Sequence, residues 1–400
     1  MKIFFALLIV ILLVFGGYQL TFRQFKIPLI ARSFYLSGLE FILFGIFLGP
    51  LFLNVLDNNS IRGLEPLMAL LLGWVGMLFG FQFEMAILRK FPGLQLLAAI
   101  GEGLVTLLMV FVGIYLTFCL FPDIPHNLKI VYSLTLAAAA ACTAQTGLVL
   151  VTSATRKVNR DSLNLIRYIS SIDGAGALII YGFVFLFRSE ISSSAPFFHR
   201  LAVEAGMTIT AFLSLLLLYT LFLTKWRRSQ ELNLIIIGMA VFSSGMASVL
   251  NLSPILLNFF MGFCLVNFFV EKERIFKLLI SVEKPVYLII LVFLGAHIKL
   301  DSTWPLILAL SYIVFRSLGK FSGWFLVTAL KPDSKKHSHK LCLALIDQGG
   351  LPLAILLDLI LGFRGEYTRA IVTVAVIAVV FNDIIGIFFQ KRLFVLNSNE

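Results

Sequence analysis

Thirteen apolar runs, each near the length needed to cross a bilayer, leave this chain little choice of fold. They fall near residues 3–20, 36–54, 64–84, 94–120, 128–153, 163–187 and 203–224. Six more follow near 232–249, 253–270, 281–298, 304–328, 340–361 and 367–390. Hydrocarbon offers the backbone no water to bond, so each run must satisfy its own amides, which a helix does. Composition agrees: 60% of the 400 residues are hydrophobic and 13% charged, where a soluble domain carries roughly 25% charged residues. The sequence predicts an all-α polytopic membrane protein of about 13 transmembrane helices.

The net charge of +11 could suit nucleic acid, but the basic residues form short clusters between runs. Loops after odd-numbered helices hold 22 of the 32 Lys and Arg, among them Arg89, Arg156, Lys157, Lys272, Arg274, Lys277 and Lys284. The opposite loops hold 8. Cytoplasmic loops collect positive charge, which predicts no nucleic-acid partner, a lipid surround, the N-terminus outside and the C-terminus in the cytoplasm. Arg23, Lys26 and Arg32 follow the first run and no small-residue cleavage site is present, so a retained helix is expected over a signal peptide. About ten residues follow the last run, and no soluble regulatory tail is expected. Cys119, Cys142, Cys264 and Cys342 form no CxxC and read as reduced packing residues. His126, His199, His297, His337 and His339 are too dispersed for a metal site and read as solvated loop or helix-end residues. Nucleophile and phosphate-loop motifs are missing, so neither an enzyme nor a cofactor is expected.

Two stretches stand out against the apolar background. Residues 169–181, ISSIDGAGALIIY, put Asp173 in the middle of a run. An ionisable group there costs roughly 2.5–3.5 kcal/mol on insertion scales and points to function. Residues 137–151, AAAAACTAQTGLVLV, gather small and hydroxyl residues where bulky aliphatics would be usual, which suits an unwound segment beside Asp173. In the eleventh run Arg316 and Lys320 sit one turn apart on a shared face. Lys320 can snorkel to an interface, whereas Arg316 lies deeper and requires a carboxylate or carbonyl partner.

A weak internal repeat adds a frame. LFGFQFEM (78–85) resembles FLGAHIKL (293–300), AQTGLVLV (144–151) resembles DQGGLPLA (347–354), and Asp173-x-x-Gly176 resembles Asp383-x-x-Gly386. Each match pairs helix n with helix n+7, so the copies are inverted in the membrane. Pro352, behind Gly349 and Gly350, removes a ladder bond inside the twelfth run. The fifth and twelfth helices are therefore the candidates for two crossing broken helices.

At these residues the chain resembles the monovalent cation:proton antiporter superfamily, the Kef-type and bacterial sodium/proton exchangers, over its transmembrane domain. The motifs are GIFLGP (45–50), GMLFGFQFEM (76–85), ACTAQTGLVLV (141–151), SSIDGAG (170–176), SSGMASVLNLSPILLNFFMGFCLVN (243–267), VEKPVYLIILVFLGAHIKL (282–300) and IDQGGLPLA (346–354). The resemblance implies a homodimer in a bacterial inner membrane, with a core moving against a dimerisation domain. On that pattern residues 1–90 hold helices one to three on the scaffold side, and 91–190 hold core helices four to six. Residues 191–230 form a linker helix, 231–300 scaffold helices eight to ten, and 301–400 core helices eleven to thirteen.

The resemblance further implies exchange of Na⁺ or K⁺ for H⁺ by alternating access, with Asp173 as ion ligand and proton carrier and Thr143 as the polar position of the first broken helix. Arg316 matches the family's basic residue. Ile172 and Gly174 flank Asp173 where electrogenic members carry a second carboxylate, which favours electroneutral exchange. It also leaves open a transport-inactive sensor or partner subunit, while a symporter of similar fold would need Arg316 and Lys320 to face its substrate. A structural pairing of Asp173 with Arg316 stays open, as does pairing of Glu102 with Arg316 or Lys320. Gln145 and Gln348 read as cavity lining or interhelical bonds, Asp347 as a gate, helix-pair residue or ligand, and Asp383 as a structural or ion residue. Without a soluble domain, a separate regulatory subunit is a possible partner.

Overall fold

The structure is a computed structural model that describes residues 2–21, 38, 40–89, 93–121, 124–144, 160–186, 197–225, 231–269, 271–298, 304–330, 342–343, 345–363 and 365–395. Every regular element among them is a helix. In chain order these are α1 (Lys2–Thr21), α2 (Glu40–Leu48), α3 (Asn58–Gly63), α4 (Glu65–Phe81), α5 (Met85–Leu88), α6 (Gly93–Cys119), α7 (His126–Ala141) and α8 (Arg160–Leu186). Then come α9 (Phe197–Lys225), α10 (Leu232–Val249), α11 (Pro254–Phe268), α12 (Lys272–His297), α13 (Trp304–Leu330), α14 (Gly350–Gly362) and α15 (Glu366–Val395). Each apolar run contains one of them, with α3 and α5 as short additions. Among the described residues 7 helices are long and apolar enough to span a membrane: α6, α8, α9, α10, α12, α13 and α15. Four shorter apolar ones, α1, α4, α11 and α14, lie among them.

Two expectations need correction. The basic residues Lys272, Arg274, Lys277 and Lys284 lie on α12 rather than in a loop, and Pro285 sits inside that helix. Ile275 and Leu279, one turn apart, are buried among those charges, so the segment is an amphipathic continuation of the helix that an apolar-run reading cuts short. Pro352 breaks nothing, because α14 begins at Gly350 and places it in the first turn, where its missing N–H has no ladder partner to lose.

The helices pack in two groups. In one, α2 lies on α12 and α11 on α4, with α10 beside α4. In the other, α6 lies on α13 and α7, α7 on α8, and α15 on α13 and α14. Helix α14 also touches α4, α11 and α12, so it runs along the boundary.

Glycines set the two tightest crossings of the first group. A Cβ on Gly45 would lie 2.1 Å from the Val292 carbonyl oxygen, and one on Gly295 2.1 Å from that of Ile42. A Cβ on Gly262 would lie 2.1 Å from the Met77 oxygen, and one on Gly80 1.9 Å from that of Phe259. Both crossings are reciprocal, glycine against backbone on each side. Small residues bring backbones close enough for van der Waals packing in place of a hydrophobic drive that lipid does not supply.

Candidate functional site

Helix α7 stops at Ala141, and Cys142 leaves it with φ −58° and ψ 141°. On the other side, residues 346–349 have no regular secondary structure, and Gly349 leads into α14 with φ 69° and ψ −154°. That φ suits glycine, and a Cβ there would approach the Ala144 Cβ to 2.7 Å. One backbone bond ties the stretches together: the Ala144 N–H donates to the Asp347 carbonyl at 2.8 Å.

A helix ending in a dry interior leaves its last carbonyls without partners. Side chains meet each of them here. The Cys142 thiol donates to Ala138 (3.6 Å), Gln348 Nε2 to Ala139 (3.1 Å), Arg316 Nε to Ala140 (3.0 Å) and Lys320 Nζ to Ala141 (2.9 Å). Arg316 also reaches Cys142 (3.0 Å), Ile346 (2.5 Å) and Leu345 (3.3 Å), so one guanidinium binds carbonyls of both stretches. Two cations thus stand at the negative end of α7. The start of α14 has the opposite polarity and the opposite partner: the Gln348 and Gly349 N–H groups donate to Asp383 Oδ1 at 2.7 and 3.1 Å. Asn382 donates to Gln348 Oε1 at 2.8 Å, and Gln348 Nε2 also meets the Tyr312 hydroxyl at 2.8 Å.

Beside this crossing lies a charged triad drawn from three helices. Asp173 on α8 accepts at Oδ2 from the Thr143 hydroxyl (2.8 Å) and from Lys320 Nζ on α13 (2.9 Å). The same ammonium stands 3.1 and 3.4 Å from the two carboxylate oxygens of Glu102 on α6. Thr106 donates to Glu102 at 3.3 Å. Exposures are 2% for Asp173, 1% for Lys320 and 0% for Glu102, so water does not screen these charges. With all three ionised the triad carries one negative charge. Asp173 Oδ1 is buried and has no hydrogen-bond partner among the described residues. A Cβ at Gly103 would lie 2.9 Å from it, so α6 presents a bare glycine to that oxygen.

The structure brings Asp173, Thr143, Lys320, Glu102 and Arg316 into one neighbourhood and puts Asp347, Gln348 and Asp383 at the adjoining helix start. Gln145 lies outside the described residues, as do His337 and His339. The ion partner of Asp173 is Lys320, not Arg316, whose partners are carbonyls. Lys320 does not snorkel: the carboxylates hold it inside. His297 is no solvated residue either, being 6% exposed with Nδ1 2.7 Å from the Phe293 carbonyl. Sequence reasoning passed over Asp358, fully buried on α14 and bonded to Ser253. Its signal, a lone carboxylate in LLDLILG, was the one that marked Asp173.

The family described as sodium/hydrogen exchanger, transmembrane, matches residues 9–391. The chain belongs to this family. Its members are cation:proton antiporters of the membrane, not enzymes. No curated protein matches the chain. Among solved structures it is similar to the sodium proton antiporter MjNhaP1 from Methanocaldococcus jannaschii, with a TM-score of 0.65, 18% identity and 99% of each chain covered. At that identity the likeness speaks for the fold.

Proposed function

We propose that this exchanger trades one Na⁺ or K⁺ for one H⁺ at Asp173, by alternating access and without net charge movement. The observation that carries the reading is the open oxygen: a carboxylate with Oδ2 held by Thr143 and Lys320, and with Oδ1 buried, facing Gly103 and without a hydrogen-bond donor among the described residues. A proton or a monovalent cation can take that place, but not both, and competition for one carboxylate is a sufficient coupling device.

The stoichiometry follows from the triad. Two carboxylates and one ammonium sum to one negative charge, and one monovalent ion brings the sum to zero. In a dry interior any other occupancy leaves an uncompensated charge costing several kcal/mol. The pairing of Asp173 with Lys320 does not block exchange, since Glu102 offers the ammonium a second acceptor at nearly equal distance. Arg316 and Lys320 are engaged by carbonyls and carboxylates, which leaves no cationic face for an organic anion.

Alternation draws on the two helix groups. The glycine crossings support the inverted repeat: Gly45 on Val292 corresponds to Gly262 on Met77, and Gly295 on Ile42 to Gly80 on Phe259. In this reading α6, α7, α8, α13, α14 and α15 form the core (91–190 and 301–400), and α1 to α5 with α10 to α12 the scaffold (1–90 and 231–300). A homodimer in a bacterial inner membrane, with the C-terminus in the cytoplasm, completes the reading through the family resemblance and the loop charges.

The test is proteoliposome flux. A step in external Na⁺ or K⁺ should drive protons outward at a rate that an imposed membrane potential of either sign leaves unchanged. Absence of flux with both cations would overturn exchange; a rate that follows the potential would overturn the one-for-one stoichiometry.

A further inference from the structure

Asp358 takes no part in the constellation around Asp173. It lies nine residues beyond Gly349, about 13 Å along α14, and is 0% exposed in an otherwise apolar stretch. Its Oδ2 accepts the hydroxyl hydrogen of Ser253. Ser253 is the N-cap of α11, and the same hydroxyl accepts the Leu256 N–H at 3.2 Å. A carboxylate of α14 is thus held at the start of α11, where free amides and the helix dipole favour an anion.

The two helices belong to different packing groups, so the bond spans the boundary that alternating access would shear. A second bond between the groups stands at the same end. Arg369 on the first turn of α15 donates to Asn58, the first residue of α3, at 3.2 Å. Both residues line a cavity of about 360 Å³ together with Ile360 and Phe363 at the end of α14.

We infer that Asp358 and Ser253 form a latch closing the ion pathway at the end where α14 finishes, and that this latch opens once in every transport cycle. The inference rests on the alternating-access reading above. While closed, the bond is charge-assisted and dry. Once α14 slides, Asp358 gives up the Ser253 hydroxyl and the amide-rich start of α11, and the open arrangement is disfavoured until the core returns. Asp358 is therefore a positioning residue: it biases which side the core faces and does not touch the transported ion.

The test starts from a variant with Cys119, Cys142, Cys264 and Cys342 replaced by Ala, into which S253C and D358C are introduced together. A short bis-methanethiosulfonate links the pair, with linkage verified by mass spectrometry. Linked protein should lose cation-driven proton flux down to the level of protein-free vesicles, and a thiol reductant should restore it. Each single-cysteine variant should show the same flux with and without the reagent. A verified link with flux unchanged would overturn the latch. D358N, which keeps the shape but not the charge, gives an independent reading. Folded D358N should show a maximal rate raised several-fold with the cation KM within twofold of native, and a rate that is unchanged or lowered would contradict the latch. Flux surviving in D173N would instead remove the ion site itself, a failure that these variants do not mimic.

Discussion

Lys320 Nζ stands 2.9 Å from Asp173 Oδ2 and 3.1 Å from Glu102 Oε1, so one ammonium is shared between carboxylates from two helices. In the proposed exchange this arrangement lets the ammonium step aside from Asp173 without leaving the interior or giving up its proton.

Removing that second acceptor should therefore tighten the hold of Lys320 on Asp173. In E102Q an entering cation must displace an ammonium with no other carboxylate to meet. The cation KM at pH 7 is expected to rise at least about tenfold, equivalent to about 1.4 kcal/mol, while the fold survives. Cation titration of flux beside a thermal melt separates this outcome from simple destabilisation, which would lower Tm and leave KM in place.

Competition at a single carboxylate fixes a pH dependence. If proton and cation exclude each other at Asp173, added protons should raise the cation KM. The maximal rate at saturating cation should change far less. A proton inhibition that excess cation does not relieve would contradict a shared site.

Arg316 binds backbone carbonyls of both unwound stretches. Its guanidinium serves carbonyls of Ala140, Cys142, Leu345 and Ile346 at once. R316A would leave these buried acceptors bare, at about 1–3 kcal/mol for each unsatisfied group. A large fall in Tm in detergent is expected, and R316K should recover only part of it, because one ammonium cannot reproduce the planar fork.

Gly349 tolerates no side chain. G349A would place a Cβ 2.7 Å from that of Ala144 in a positive-φ conformation. Loss of about 1–3 kcal/mol is expected, with reduced flux, because the start of α14 and the Asp383 bonds shift together. Unchanged melting would argue against a rigid crossing.

Much of this was legible in the chain. The apolar runs located the helices, and Asp173 was marked by the cost of putting a carboxylate in lipid. The pairing was not legible. Arg316 and Lys320 share a face one turn apart, and sequence spacing does not say which of them reaches α8. That depends on how closely α13 approaches α6. Gly319 and Gly323 set that approach, since a Cβ on either would lie under 3.0 Å from Thr106 or Glu102. The helical start of α12 was hidden because charges interrupt its apolar pattern. Asp358 stands out as a lone carboxylate among leucines, but nothing in the spacing says that a serine from α11 would meet it.

Cation-driven proton flux in proteoliposomes containing native protein or D173N at equal density decides whether Asp173 carries the exchange. Native protein should show robust flux and D173N none above protein-free vesicles, with folding and reconstitution intact. Equal flux from the two would contradict that role.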